Sequence, residues 1–303
     1  MKKGGLFIIL LMCAYAWSCT KSAGISFPRH QPRLVLHGYV GVGDTFEIAL
    51  GKTFPSSGAL VDGDATYVTN GWVLLYENGT FLDSLKYNAA SRTYISRNRI
   101  AEAGKAYNIK AGAPSFTEIE ASTFAPMPVP LVKLERTKDA RRTSGGTMLD
   151  DLTFSFNDPA GQSNFYIGEL QSVGRVVTGC VYTYDPAVDR HSTSLIPFEQ
   201  NFCIDSHEIL YNDKTFDGTL KSLTISVYGP ALDTFIDQSG KIHRPYFTRY
   251  SITEDHYKYF TSAAGPAFME QGITFTDFYT RGGNVKNGYG LFTIFASVTD
   301  TIR

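Results

Sequence analysis

Chemistry in a protein needs acids, bases, nucleophiles or metal ligands at workable spacing, and Asp158 is the first residue to test. It lies in FSFNDPAGQSNFYIGEL (154–170), where an Asp, a Gly and an Asn crowd between two aromatic runs. An acid catalyst needs a partner for its proton, and no neighbouring His or second carboxylate stands at useful spacing. A type I turn takes Asp first, Pro second and Gly fourth, which is the order of Asp158-Pro159-Ala160-Gly161. The stretch therefore reads as a bend, its Asp side chain accepting from the backbone two residues on. The histidines, His30, His37, His191, His207, His243 and His256, form no HExxH or His-x-His pair and so give no zinc signature. Asp62-Gly63-Asp64 hints at a calcium loop, but the other ligand positions are missing. There is no GxSxG elbow and no phosphate-cradling Gly-rich loop. The expectation is a protein without catalytic residues, metal or cofactor; a hydrolase with a dispersed site is the less favoured alternative.

Aromatic density is the remaining candidate for binding. Tyr246, Phe247, Tyr250, Tyr257, Tyr259 and Phe260 fall within fifteen residues, and Phe275, Phe278 and Tyr279 follow. Exposed rings would stack on sugars or clasp apolar peptide, with Tyr246, Tyr250 and Tyr257 as the contact candidates. The plainer reading is that they pack a core.

Which elements would hold these residues follows from composition and pattern. The chain has 303 residues, 43% hydrophobic and 14% aromatic, enough for a packed core. Its formal charge of −1 gives no electrostatic grip on nucleic acid. Lys2 and Lys3 precede an apolar run from Leu6 to Trp17, the build of a secretory signal. Twelve such residues span about 18 Å as helix, too short for a bilayer core of about 30 Å. Ala16-Trp17-Ser18-Cys19 resembles a bacterial lipobox, which predicts acylation of Cys19 and a lipid-anchored protein. Ala14-Tyr15-Ala16 is the alternative, an ordinary cleavage site that would release a soluble product. Once the signal has gone with Cys13 and Cys19 is acylated, Cys180 and Cys203 remain as a pair. They would form a disulfide in an oxidising compartment, or stay as two buried thiols.

The predicted organisation is a signal peptide (1–18), a tether (19–27), an immunoglobulin-like β-sandwich (28–125), a Pro-rich linker with a charged loop (126–146) and a larger β-rich domain (147–303). RLVLHGYV (33–40), Thr45–Leu50, WVLLYE (72–77), TFLDSL (80–85), RTYIS (92–96), KAYNIKA (105–111) and FTEIEAS (116–122) read as strands. Asn78-Gly79 predicts a two-residue hairpin turn. Ala125-Pro-Met-Pro-Val-Pro130 reads as a stiff connector, and the aperiodic RTKDARRTSGG (136–146) as a solvated loop. Beyond it, LTFSF (152–156) alternates Leu152, Phe154 and Phe156 against Thr153 and Ser155. LKSLTISVY (220–228) does the same with Leu223, Ile225 and Val227, and GLFTIFASV (290–298) is a closing strand. One short helix is expected, with Ser251 and Glu254 as a capping box, Tyr257, Phe260 and Ala264 on one face, and Gly265-Pro266 as its stop.

FSFNDPAGQSNFYIGEL, LYNDKTFDG (210–218) and NVKNGYGLFTIFA (284–296), with WVLLYENGTFLDSL, RTYIS and GKAYNIKA in the first half, resemble a lipoprotein family of the Bacteroidota. That family is catalogued as domain of unknown function 4249. The resemblance implies an outer-membrane lipoprotein, commonly encoded beside TonB-dependent transporters, with no established enzymatic activity. The stretch after Cys19, TKSAG, lacks the acidic residues of surface-export tags, so periplasmic and external faces both stay open. The expected function is accessory to a TonB-dependent transporter in ligand capture or uptake. A structural or adhesive envelope protein is the alternative.

Overall fold

Alternating apolar and polar residues build nearly every element. The computed structural model describes residues 31–54, 66–143, 145–171, 181–189, 203–204, 208–262 and 283–303. Cys19, the Asp62-Gly63-Asp64 stretch, Cys180 and Gly265-Pro266 lie outside them. The protein is mostly β, with one short α-helix among the described residues. The first strands are β1 (Leu34–Gly41), β2 (Thr45–Lys52), β3 (Trp72–Glu77), β4 (Thr80–Asn88), β5 (Thr93–Ile100), β6 (Ala106–Gly112) and β7 (Ile119–Phe124). Asn78 and Gly79 join β3 to β4 with φ of 48° and 81°, the two positive values that a tight hairpin turn requires.

The later strands are β8 (Leu131–Arg142), β9 (Met148–Asn157), β10 (Phe165–Gln171), β11 (Val181–Tyr182), β12 (Cys203–Ile204), β13 (Glu208–Asn212) and β14 (Leu220–Tyr228). A small hairpin follows, β15 (Phe235–Ile236) with β16 (Ile242–His243), then β17 (Tyr246–Ile252), helix α1 (Glu254–Ser262), β18 (Val285–Lys286) and β19 (Tyr289–Thr301). A twelve-stranded sheet runs β13-β10-β17-β19-β1-β2-β5-β4-β3-β6-β7-β18, and a five-stranded sheet runs β12-β11-β14-β9-β8. In the latter, Cys203 stands opposite Tyr182.

The hydrophobic residues gather in three clusters. The first joins Leu36, Phe46, Ile48, Leu75 and Ile109 to Phe292 and Ile294 of β19. Phe46 of β2 meets Tyr107 of β6 at 5.0 Å although three strands separate them in the sheet, so the sheet must curl to enclose this cluster. The second lies between the five-stranded sheet and the β13-β10-β17 end of the large one. There Phe154 packs on Phe247 at 4.4 Å, and Phe156 on Tyr166 at 5.2 Å. The third, with Ile167, Leu210, Ile252 and Tyr257, covers the opposite face of the same three strands beneath α1. Burial on both faces explains why Tyr166, Ile167 and Gly168 are consecutively buried in β10, where a half-exposed strand would alternate.

Two expectations are corrected. RTKDARRTSGG is a loop only after Arg142: Arg136–Arg142 continue β8, an edge strand paired with β9. Two register shifts reset its faces and only one side has a neighbour, so no alternation survives in the sequence. Arg136 anchors this edge, donating to Asp150 at 2.7 Å, Asp233 at 2.7 Å and the Leu232 carbonyl at 2.6 Å. The helix cap is Thr253, whose Oγ1 accepts from His256 N at 3.2 Å. Ser251 is held in β17 opposite Tyr166 and Ala296. Phe260 and Tyr257 face the third cluster as expected.

β19 lies parallel to β1, with Leu36 opposite Gly290, and antiparallel to β17. Gly290 has φ 111°, and an added Cβ would collide with the Leu36 carbonyl oxygen. Gly290→Ala is therefore expected to cost at least about 2 kcal/mol in urea unfolding, since backbone cannot move aside as a side chain can. His256 is buried against Tyr39 and Phe260, with Nδ1 3.3 Å from Thr293 Oγ1. Burial lowers its pKa from 6.5 to about 4. The unfolded chain thus binds a proton that the folded chain refuses. This contribution is fully present above pH 6.5 and is lost as pH falls, by about 2 kcal/mol at pH 5. Unfolding midpoints at pH 7 and pH 5 should show that loss, and His256→Phe should reduce it.

Candidate functional site

The Asp158 bend is present, with Gly161 at φ 80°, but its carboxylate serves a different purpose from the one expected. Asp158 does not bond its own turn. It accepts from the Tyr166 hydroxyl at 2.5 Å and from Gly218 N at 3.0 Å, and its own N–H donates to the Thr219 carbonyl at 3.0 Å. Asn164 likewise reaches Asp213, donating from its backbone at 2.7 Å and from Nδ2 at 3.1 Å. Gly161 N donates to Asp217 at 3.0 Å. The segments FSFNDPAGQSNFYIGEL and LYNDKTFDG are thus laced together through three aspartates. The third motif works the same way: Asn284 accepts from Phe292 N at 2.9 Å and donates to the Ser122 carbonyl at 2.9 Å.

Asp158, Asp213 and Asp217 bring one oxygen each within 4.8 Å of one another. Burial raises the Asp213 pKa, the bonds from Asn164 oppose the rise, and the charges of Asp158 and Asp217 add to it. Every one of the three already accepts from protein donors, so the cluster is a joint between loops.

Behind it lies Arg249, 1% exposed. Its guanidinium sits over the ring of Phe156 at 4.0 Å and of Tyr166 at 4.9 Å. Nη2 donates to the carbonyl of Val129, in the Pro-rich segment. Nε and Nη1 find no well-aligned acceptor among the described residues. Burial lowers the Arg249 pKa, while Tyr211, Tyr166 and Asp158 oppose that fall. The cation is held by ring faces and by the Asp158 charge beyond the Tyr166 hydroxyl.

The aromatic candidates are placed as follows. Tyr257 is buried, its hydroxyl donating to Asp189 at 2.9 Å and accepting from Asn212 at 3.1 Å. Tyr250 is half-buried, packs edge-on against Phe295 and donates to Glu169 at 2.6 Å. Tyr246 is half-buried in β17 opposite Thr301. They belong to the packing around α1 and β17 and do not share an open surface.

An open surface exists elsewhere, on the outward face of the five-stranded sheet. Leu152, Phe154 and Phe156 of β9 and Leu223, Ile225 and Val227 of β14 point into the second cluster, so the intervening residues point out. They pair across the strands: Thr153 with Thr224 at 2.8 Å, Ser155 with Ser222 at 3.1 Å, and Ser226 donating to Asp151 at 2.5 Å. On this face Arg141 of β8 reaches Asp151 at 3.0 Å; from the opposite side of β14, Lys221 lies over Phe216 and holds Asp185 at 2.6 Å. Tyr182, Thr183 and Tyr184 rise beside β14 and complete a groove of about 180 Å³. Tyr184 is 61% exposed, with the Arg141 guanidinium 5.9 Å from its ring.

The alternation of Thr153 and Ser155 against the phenylalanines was visible in the sequence, whereas Tyr184, Asp185 and Arg141 were not connected to it. The run Val181-Tyr-Thr-Tyr-Asp185 was the available signal. For the buried joint, Asp158→Ala should cost about 3–5 kcal/mol in urea unfolding, because it removes the charge that faces Arg249 and leaves Tyr166 without an acceptor. In an Arg249→Met background the same change should cost at least about 1 kcal/mol less. Equal costs in both backgrounds would mean that the two residues are independent.

No curated protein matches the chain. Among solved structures, the BSP domain of a biofilm-associated protein is similar at 8% identity and a TM-score of 0.20, with 93% of this chain and 61% of that chain covered. The chain thus spans about three-fifths of that structure's length, in a superposition too loose to assign a fold. A family model described as a domain of unknown function, DUF4249, matches residues 22–301. Because that match takes in all three motifs and nearly every strand, this chain belongs to the DUF4249 family.

Proposed function

We propose that this protein is a lipid-anchored component of the outer membrane that captures a ligand on its five-stranded sheet and hands it to a TonB-dependent transporter. The observation that carries the reading is the half-open polar groove of about 180 Å³ on the five-stranded sheet. Its carboxylates, Asp151 and Asp185, are engaged by Arg141 and Lys221, and Asp185 also accepts from Ala187 N at 2.9 Å. Groups held in this way orient and recognise, and the reading is therefore binding without catalysis. None of the described helices is long and apolar enough to cross a membrane. Attachment in this reading comes from acyl chains on Cys19, each buried methylene contributing about 0.8 kcal/mol.

The test combines metabolic labelling with affinity purification. Cells fed an alkyne analogue of palmitate should yield labelled protein in the membrane fraction, and Cys19→Ala should abolish the label. Purification of the tagged protein from detergent-solubilised outer membrane should recover a TonB-dependent transporter. An unmodified Cys19 thiol in aqueous protein would overturn the anchor. A transporter-free purification, combined with an adhesion defect in the deletion strain, would favour the structural or adhesive alternative.

A further inference from the structure

The groove on the five-stranded sheet has a composition that narrows its ligand, and this step rests on the binding role proposed above. Ser222, Thr224 and Ser226 of β14 line it, and each is tied to β9 in a row of polar residues. In the first, Arg141, Asp151 and Ser226 are linked in series at 3.0 Å and 2.5 Å. In the second, Thr153 and Thr224 share a bond of 2.8 Å, and Thr183 Oγ1 donates to the Thr224 carbonyl at 3.1 Å. In the third, Ser155 bonds Ser222 at 3.1 Å; Asp185 lines the groove and is held at 2.6 Å by Lys221, which comes from the core-facing side of β14 beside Phe216.

Each charge in the groove has a partner of opposite sign: Arg141 with Asp151, and Lys221 with Asp185. A ligand carrying net charge would have to break one of these pairs, so the site favours a neutral molecule. The floor is made of hydroxyls, each able to donate once and accept twice, and a bond to a neighbour uses only part of that capacity. An acyl chain or other apolar ligand would leave those hydroxyls desolvated and unsatisfied, which costs roughly 1–3 kcal/mol for each group. What suits the site is a molecule rich in paired donors and acceptors that also has an apolar face for a ring. Tyr184 supplies such a ring at the wall, 61% exposed, with the Arg141 guanidinium over the ring at 5.9 Å. Tyr182, half-buried, stands behind it opposite Ser226. The groove, of about 180 Å³, is half open and not a closed cavity, so a chain can place one unit in it and continue beyond.

We infer that this groove binds a neutral oligosaccharide, one sugar ring stacking its C–H face on Tyr184 while its hydroxyls bond Ser222, Thr224 and Ser226 and the Arg141 and Asp185 members of the two ion pairs. Hydroxyls pointing outward from a ring with apolar faces match both features at once. A polar peptide would satisfy the floor but lacks the flat C–H face that the ring at the wall requires.

The experiment uses the exported chain on an array of neutral α- and β-linked hexose and pentose oligosaccharides. Sialylated and sulfated glycans and a set of polar peptides serve as comparators, and the best ligand is titrated by calorimetry. Binding of one class of neutral glycan is expected, weakened at least about tenfold in Tyr184→Ala and in Thr224→Val. Tyr184→Ala is paired with Tyr184→Phe, which keeps the ring: Tyr184→Phe should retain the binding that Tyr184→Ala loses, with the melting temperatures of both measured to check the fold. Binding confined to charged glycans or to peptides would overturn the inference, as would neutral-glycan binding unaffected by Tyr184→Ala, or no glycan binding at all. If a transporter co-purifies with the tagged protein while the array is blank, the sugar inference fails alone and the transporter reading stands. If sugars bind and no transporter is recovered, the reverse holds.

Discussion

β19 enters the large sheet between β1, to which it is parallel, and β17, to which it is antiparallel. Thirteen residues near the chain's end thereby join strands from its beginning to strands from its second half. The two faces of β19 explain its central place. Phe292 and Ile294 complete the first hydrophobic cluster, while Thr293 and Phe295 turn toward α1 and its buried His256. A parallel neighbour cannot be reached by a tight hairpin, so this pairing needs the whole intervening chain as its crossover. The closing entropy of so long a loop is recovered only when both clusters form around the strand, which couples the two halves of the body.

Buried charge is treated in two ways in this protein. Arg136 has acidic and carbonyl acceptors for its guanidinium, and its burial ties the exposed edge strand β8 to β9 and to the 3-10 turn Gly229–Leu232. Arg249 is buried with one carbonyl bond and two aromatic faces, and the compensating Asp158 lies beyond Tyr166. Asp158, Asp213 and Asp217 are acceptors that lace two loops together, and Asp158 also compensates this cation.

The proposed binding face follows from the same construction. A sheet that packs one face on a core must turn the other outward, and the outward residues at the middle of β9 and β14 are Ser, Thr and Asp, with exposed Leu220 and Tyr228 at the ends of β14. An edge strand on one side and the Tyr182–Asp185 stretch on the other convert a flat polar face into a groove. The groove thus costs the core nothing, because the residues that shape it are not those that pack it.

Local features were legible in the amino-acid order. Alternation in LTFSF, LKSLTISVY and KAYNIKA marked strands and their inner faces, Asn78-Gly79 marked a hairpin, and the 251–264 stretch marked a helix. Each depends on neighbours within a few residues, which turn chemistry and side-chain period record directly. Partners across the chain were not legible. The charged β8 looks like loop because a bulged edge strand has no alternation to display, and Asp158 looks like a turn cap because Gly218 and Tyr166 are distant or unremarkable in sequence. The cap fell to Thr253 because β17 holds Ser251 in its ladder. The groove, the parallel β1–β19 pairing and the cation among rings exist only once strands far apart in sequence have chosen their neighbours. That choice is made by burying two faces at once, and no short window of residues contains it.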